Sequence, residues 1–138
     1  MTNILKAGFL YFLGVFAIGF ILGAARRFFL TAYAGPVIAV LIEIPFVLLF
    51  AWYFCRFLTR RLQIPSALYE RLRMGGLAFA CLITGEVLIA VLLQGGRITD
   101  FFLTFDLPEN RVGLGGQIAF ALFPLFQGYG EMRASNRM

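Results

Sequence analysis

Long uninterrupted runs of apolar residues dominate the pattern of hydrophobic and polar positions along this chain. Four runs stand out, at about residues 7–25, 36–57, 74–94 and 112–128. All but the last are near the ~20 residues that an α-helix needs to cross a hydrocarbon core of about 30 Å. In lipid every backbone amide must be paired within the protein, so only helices and closed barrels can span a membrane. The runs show no alternation of apolar and polar residues, so they favour helices. We therefore predict an all-α integral membrane bundle, with four transmembrane helices forming a single domain over residues 1–138.

Composition supports the same class of protein. The chain is 61% hydrophobic and 14% charged, with a mean hydropathy of +0.87, whereas a soluble domain is nearer half apolar and a quarter charged. A cleaved signal peptide is the alternative for the first run, with Ala32-Tyr33-Ala34 as a cleavage site. The run is long for a signal peptide, and Arg26-Arg27 interrupts it before that site, so we interpret it as a retained membrane anchor.

The distribution of basic residues predicts the orientation, because cytoplasmic loops carry an excess of Lys and Arg. With the N-terminus inside, eight basic residues fall in the cytoplasm and four outside. This bias favours both termini in the cytoplasm, and we expect a bacterial inner membrane. The inside set is Lys6, Arg56, Arg60, Arg61, Arg71, Arg73, Arg133 and Arg137, and the outside set is Arg26, Arg27, Arg97 and Arg111.

Most of that bias comes from the segment RFLTRRLQIPSALYERLR, which joins the second and third runs. Its five arginines are Arg56, Arg60, Arg61, Arg71 and Arg73. A basic strip beside the membrane attracts anionic lipid headgroups and can also dock a partner protein. The simpler interpretation, which we favour, is that it only sets the topology. Spacing of Ile64, Leu68 and Leu72 predicts a short surface helix after Pro65.

Two carboxylates lie deep in the predicted spans, Glu43 in the second and Glu86 in the third. Counted from the outer ends of their helices at 1.5 Å per residue, both reach a similar depth. A short loop joins these two helices, so we expect them to be antiparallel neighbours. Arg26 and Arg27 end the first helix near the outer boundary, where either guanidinium can reach Glu43. Glu86 is the expected third member of this cluster.

An isolated charge at the centre of a bilayer costs at least about 2.5–3.5 kcal/mol. The two carboxyl groups should therefore be paired with arginine or be protonated. Three roles stay open: a static strut that fixes the helices, which we favour, a proton or ion pathway, and a catalytic group. Pro45 and Pro124 lack an N–H, so each is expected to kink its helix and to free the carbonyl of Leu41 or Phe120.

Three short segments carry the resemblances of this chain to known proteins. The segment GFILGAAR is similar to the first helix of the small four-helix fluoride channels of bacteria, over those eight residues only. LGAARR, AGPVIAVLIEIP and ERLRMGGLAFACLITGE together resemble a family of small four-helix bacterial inner-membrane proteins without an assigned activity. The second resemblance covers most of residues 19–86 and implies a bacterial inner-membrane location.

The residue types that the chain lacks argue against several classes of enzyme and metal site. With no histidine and two cysteines far apart, the chain lacks a Ser-His or Cys-His pair and a metal-ligand set. We expect no enzymatic activity, no cofactor, no metal and no nucleic acid partner. We predict a non-enzymatic accessory or structural membrane protein, with a proton- or ion-coupled transporter or channel as the alternative. Four helices barely enclose a pore, so a transporter or channel would need a second copy, whereas the accessory role predicts a membrane-protein partner on the basic segment. The bilayer and its anionic headgroups are the other expected partners.

Overall fold

The computed structural model describes residues 2–138, which are mostly helical and contain no strand. Four long helices are joined by short helical segments at one end of the bundle and by the non-helical connection 62–67 at the other. The all-α class is therefore confirmed. The helices are α1 (Thr2–Ala25), α2 (Thr31–Ala34), α3 (Pro36–Arg61), α4 (Leu68–Gln94), α5 (Ile98–Leu103) and α6 (Pro108–Ser135).

A wide helical turn, Arg26–Leu30, joins α1 to α2. The amide of Thr31 donates to the carbonyl of Arg26, five residues back, and the Thr31 hydroxyl donates to the same oxygen at 3.1 Å. The helix predicted to end at the two arginines therefore continues past them in a wider coil. It stops at Gly35, whose φ of 81° is a left-handed value that glycine adopts without strain.

The end of α3 is closed by a Schellman motif. Gln63 has a φ of 50° and donates to Arg60, while Ile64 donates to the carbonyl of Thr59; these bonds cap the last carbonyls of the helix. The next helix begins at Leu68, so the predicted short surface helix is instead the first turn of α4. The last long helix, α6, likewise begins directly at a proline, Pro108.

The four long helices form a ring in the order α1, α3, α6, α4. Each packs against its two neighbours in the ring, and α3 makes no backbone-level contact with α4. The prediction that these two helices are adjacent is therefore wrong, because the six-residue connection 62–67 crosses the end of the bundle diagonally. Adjacent antiparallel hairpins are instead formed by α1 with α3 and by α4 with α6.

Both described ends of the chain lie at the same end of the bundle. Gly8 of α1 lies against Met74 and Leu77 of α4, and Gly128 of α6 lies against Arg71. We call this the terminal end: it contains Thr2, residues 62–67 and Ser135. The far end contains residues 26–35 and 95–107.

One hydrogen bond crosses the core between diagonal helices. The buried hydroxyl of Tyr11 on α1 donates to the carbonyl of Phe120 on α6 at 2.9 Å, and the two rings stack. Phe120 needs this donor because Pro124, four residues later, has no N–H to offer. The predicted free carbonyl thus has a specific partner.

Three helical stretches are long and apolar enough to cross a membrane: Thr2–Ala34, Pro36–Arg61 and Leu68–Gln94. In their most apolar windows only 28%, 17% and 11% of the residues are buried inside the bundle. Apolar side chains that face outward on this scale need lipid or another protein as cover. The described residues therefore indicate a membrane location. The last helix, α6, has the length to span but is less apolar, since it carries glycines and glutamines.

Candidate functional site

Arg26 and Glu43 form an ion pair at the far end of the bundle. Nε of Arg26 lies 2.5 Å from Oε2 of Glu43, and the two side chains are 28% and 14% exposed. The N–H is not aligned for a hydrogen bond, so the contact is a charge pair. It joins the turn after α1 to α3, and Oε1 of Glu43 lies beside Gly23, at an ordinary contact distance of 3.7 Å from the position of a Cβ there.

The wide turn gives the two neighbouring arginines different environments. Arg26 is partly buried and faces Glu43, whereas Arg27 is exposed. Of the two candidates for pairing with Glu43, the structure therefore brings in Arg26 and leaves Arg27 outside. Wide helical turns of this kind are frequent where a helix must present a functional side chain.

Glu86 has a different partner from the predicted one. Nε2 of Gln117 on α6 donates to Oε1 of Glu86 at 2.6 Å. Among residues 2–138, Glu86 makes no ion pair. The expected three-residue cluster is thus two separate pairs, because α3 and α4 are diagonal and α6 supplies the nearer group.

The two pairs are connected through one helix contact. Gly116, beside Gln117, packs against the side chain of Ile44, which would lie 3.5 Å from a Cβ at Gly116. Ile44 directly follows Glu43. A polar layer therefore runs across the bundle from Arg26 and Glu43 to Gln117 and Glu86, with an apolar contact in its middle.

A second charge cluster lies at the terminal end and centres on Arg71, which is 2% exposed. Its guanidinium donates to Oε2 of Glu131 at 2.6 Å and to the carbonyls of Pro65 and Ile64 at 2.9 and 3.2 Å. Arg71 therefore does not contact lipid headgroups, and this prediction is wrong. Arg71 is buried because Gly128 has no side chain, so the aliphatic part of the arginine can pack against α6.

The other arginines of the basic segment divide into two groups. Arg73 is half-buried, lies 3.6 Å from Glu70 and stacks over the ring of Tyr69. Arg56, Arg60 and Arg61 are exposed on the outer face of α3. Only these three have the free surface that a headgroup contact requires.

The two prolines lie inside continuous helices. Pro124 is fully buried and packs near Gly75 of α4, whereas Pro45 is exposed. Both α3 and α6 continue through their proline. The kinks themselves stay predictions, but the freed carbonyl of Phe120 is used by Tyr11.

Three polar residues of the site were missed from the sequence: Gln117, Gln127 and Glu131. Gln127 is buried and donates from Nε2 to the carbonyl of Trp52 at 2.8 Å. A glutamine inside an otherwise apolar span was the available signal, since amides in membrane helices commonly bond across to a neighbouring helix. Glu131 gave no such signal, because it lies beyond the predicted span.

Comparisons with protein-family models, with curated proteins and with solved structures found no match to this chain. Functional inference therefore depends on the polar layer and on the Arg71 cluster.

Proposed function

We propose that this protein is a non-enzymatic, structural or accessory membrane protein whose buried charges act as struts between helices. The four long helices all span the membrane in this proposal, with α6 as the fourth span because it packs between α3 and α4. The terminal end faces the cytoplasm in this proposal, since it carries eight basic and two acidic residues against four basic and three acidic residues at the far end, with Glu43 and Glu86 inside the spans. An inner membrane of a bacterium fits this arrangement.

The observation that carries the proposal is that the buried Arg71 and the partly buried Arg26 each pair with a carboxylate on another helix. Arg26 meets Glu43 between α1 and α3, and Arg71 meets Glu131 between α4 and α6. Removing one member of such a pair leaves an uncompensated charge in a medium of low polarity, so the pair specifies which helices pack together.

A double-mutant cycle on the far-end pair tests this role. We expect Arg26→Met and Glu43→Leu each to lower the free energy of unfolding, with a coupling energy of about 1–3 kcal/mol between them. Unfolding is followed by circular dichroism during titration of detergent micelles with sodium dodecyl sulfate. Arg27→Met is the matched control, because Arg27 is exposed beside the pair; its coupling to Glu43 should be near zero. Equal coupling for both arginines would contradict the strut.

A second candidate function, proton- or ion-coupled transport, is favoured by one feature of Glu86. Its carboxyl group lies within α4 and is held by an amide instead of an arginine. Oε1 of Gln117 is buried and accepts no hydrogen bond from the described residues. A carboxyl group without a counter-charge, beside an open acceptor, can exchange a proton or bind a cation more readily than one that is held in an ion pair.

Proton flux into vesicles tests this candidate. Protein is reconstituted with an entrapped pH-sensitive dye, and a proton gradient is imposed. If Glu86 carries protons, the wild type dissipates the gradient faster than protein-free vesicles. Glu86→Gln then lowers the rate by about a hundredfold or more, as is typical for removing an essential proton-transfer group. Asp106→Asn, at a carboxylate that is 85% exposed, should leave the rate unchanged. A wild-type rate equal to that of empty vesicles rules out proton transport.

A further inference from the structure

An open groove of about 500 Å³ lies on the outer face of α3 at the terminal end. It is lined by Tyr53, Arg56, Phe57, Arg60 and Arg61. Residues four apart lie on the same face of a helix. Tyr53 and Phe57 therefore share one face of α3, and Arg56 and Arg60 share the adjacent face. Aromatic and basic residues therefore alternate along the helix, with Tyr53 the deepest of them and Arg60 and Arg61 nearest the terminal end.

The three arginines of this groove have no counter-charge on the protein. Among residues 2–138, none has a carboxylate oxygen within 4.0 Å. The acidic residues of the terminal end are Glu70 and Glu131, which pair with Arg73 and Arg71. Three adjacent cations on one exposed face are thus left for an anion from outside the chain.

The neighbouring helix α6 also carries a groove lined by tyrosine and arginine at the terminal end of the bundle. A second open groove, of about 460 Å³, lies on α6 and is lined by Tyr129, Met132, Arg133, Asn136 and Arg137. Tyr129, Arg133 and Arg137 are spaced four residues apart. Because α3 and α6 pack side by side and run in the same direction, the order of tyrosine followed by arginine points the same way on both.

We propose that the α3 groove is a binding site for the headgroup of an anionic phospholipid. Arg56 and Arg60 hold the phosphodiester, since a guanidinium presents two parallel N–H groups to phosphate oxygens. Arg61 adds a third positive charge. Tyr53 and Phe57 pack against the upper part of the acyl chains, at the depth where amphipathic rings collect in membranes. This site goes beyond the proposed strut role and does not depend on it.

A role as a topology signal alone makes a different prediction. Such a signal acts through the number of positive charges near the membrane and does not discriminate between bound lipids once the protein is inserted. A headgroup site selects an anionic lipid over a zwitterionic one with identical chains. The selectivity must then depend on Arg56 and Arg60 and not on net charge.

The single tryptophan of the chain, Trp52, lies next to Tyr53 and reports on this face. Protein is reconstituted in phosphatidylcholine, and lipid with brominated acyl chains, which quench a nearby indole, replaces it in steps. We expect brominated phosphatidylglycerol to occupy the site with a relative affinity about fivefold or more above that of brominated phosphatidylcholine. In Arg56→Gln/Arg60→Gln, the ratio should fall to about one.

Arg27→Gln/Arg97→Gln is the charge-matched control, because it removes two exposed arginines from the far end. It should keep the wild-type ratio. Glycerol 3-phosphate in the buffer should not reverse the quenching if the ligand is a membrane lipid; reversal would reassign the groove to a soluble phosphate and overturn the proposal. A wild-type ratio of one, or an equal fall in both variants, would also overturn it. Unchanged helical circular dichroism establishes that each variant is folded.

Discussion

Replacing Glu131 with leucine is expected to destabilise the protein by about 3–5 kcal/mol. Its partner Arg71 is 2% exposed and cannot move its charge into water. Without Glu131 the guanidinium keeps only the two carbonyls of the connection 62–67 as partners. Neutral dipoles compensate a buried cation much less than a carboxylate does. Unfolding by sodium dodecyl sulfate in mixed micelles, followed by Trp52 fluorescence and circular dichroism, measures the change.

The matched control is Glu70→Leu, which breaks the Glu70–Arg73 pair at the same end of the bundle. That pair is longer, at 3.6 Å, and both side chains are about one third exposed, so its loss should cost about 0–1 kcal/mol. The double variant Arg71→Met/Glu131→Leu should regain a large part of the stability, because it removes the stranded charge. Equal effects of Glu131→Leu and Glu70→Leu would show that Arg71 is not buried as described.

Gly75→Ala is expected to lower the free energy of unfolding by about 2–3 kcal/mol. A Cβ at this position would lie 2.0 Å from the carbonyl oxygen of Ala121 on α6. Since that atom belongs to the backbone, α4 and α6 would have to move apart, and overpacking of this kind typically costs 1–3 kcal/mol or somewhat more. The same titration with sodium dodecyl sulfate measures the loss.

The adjacent Gly76→Ala is a strict control. A Cβ at Gly76 meets no atom within 4 Å, so this change should be neutral or stabilise by up to about 1 kcal/mol through helix propensity. The two variants have the same composition and differ by one position on one helix. Similar stabilities for Gly75→Ala and Gly76→Ala would contradict the close approach of α4 to α6.

Residue pattern predicts the helical class because length and apolarity are local properties of a segment. It does not predict the order of helices in the ring, since a short connection is compatible with a neighbour or with a diagonal position. The Schellman motif at Gln63 and the bonds from Arg71 to the carbonyls of Ile64 and Pro65 fix the diagonal path. These contacts span at most seven residues, but they depend on backbone conformation and side-chain direction, which the hydrophobic pattern does not record.

The same limit applies to the candidate site. Depth along the helices correctly indicated that Arg26 can reach Glu43, because both positions were counted from the same boundary. The partner of Glu86 depends on which helix packs against α4 at that depth. Because α6 packs there and α3 does not, the partner is Gln117 and not Arg26. Exposure of Arg71 was misjudged for a related reason, since burial there is created by a glycine 57 positions away on α6.

The ring order also has a consequence for how this protein is made. Each buried charge has its partner within its own helical hairpin: Arg26 with Glu43 in the first, and Arg71 with Glu131 in the second. Glu86 and Gln117 belong to the second hairpin as well. In the proposed arrangement of four spans, each hairpin can thus enter the bilayer during synthesis with its arginine already paired to a carboxylate. The later meeting of the two hairpins is left to glycine contacts, aromatic packing and the single bonds that Tyr11 and Gln127 donate across.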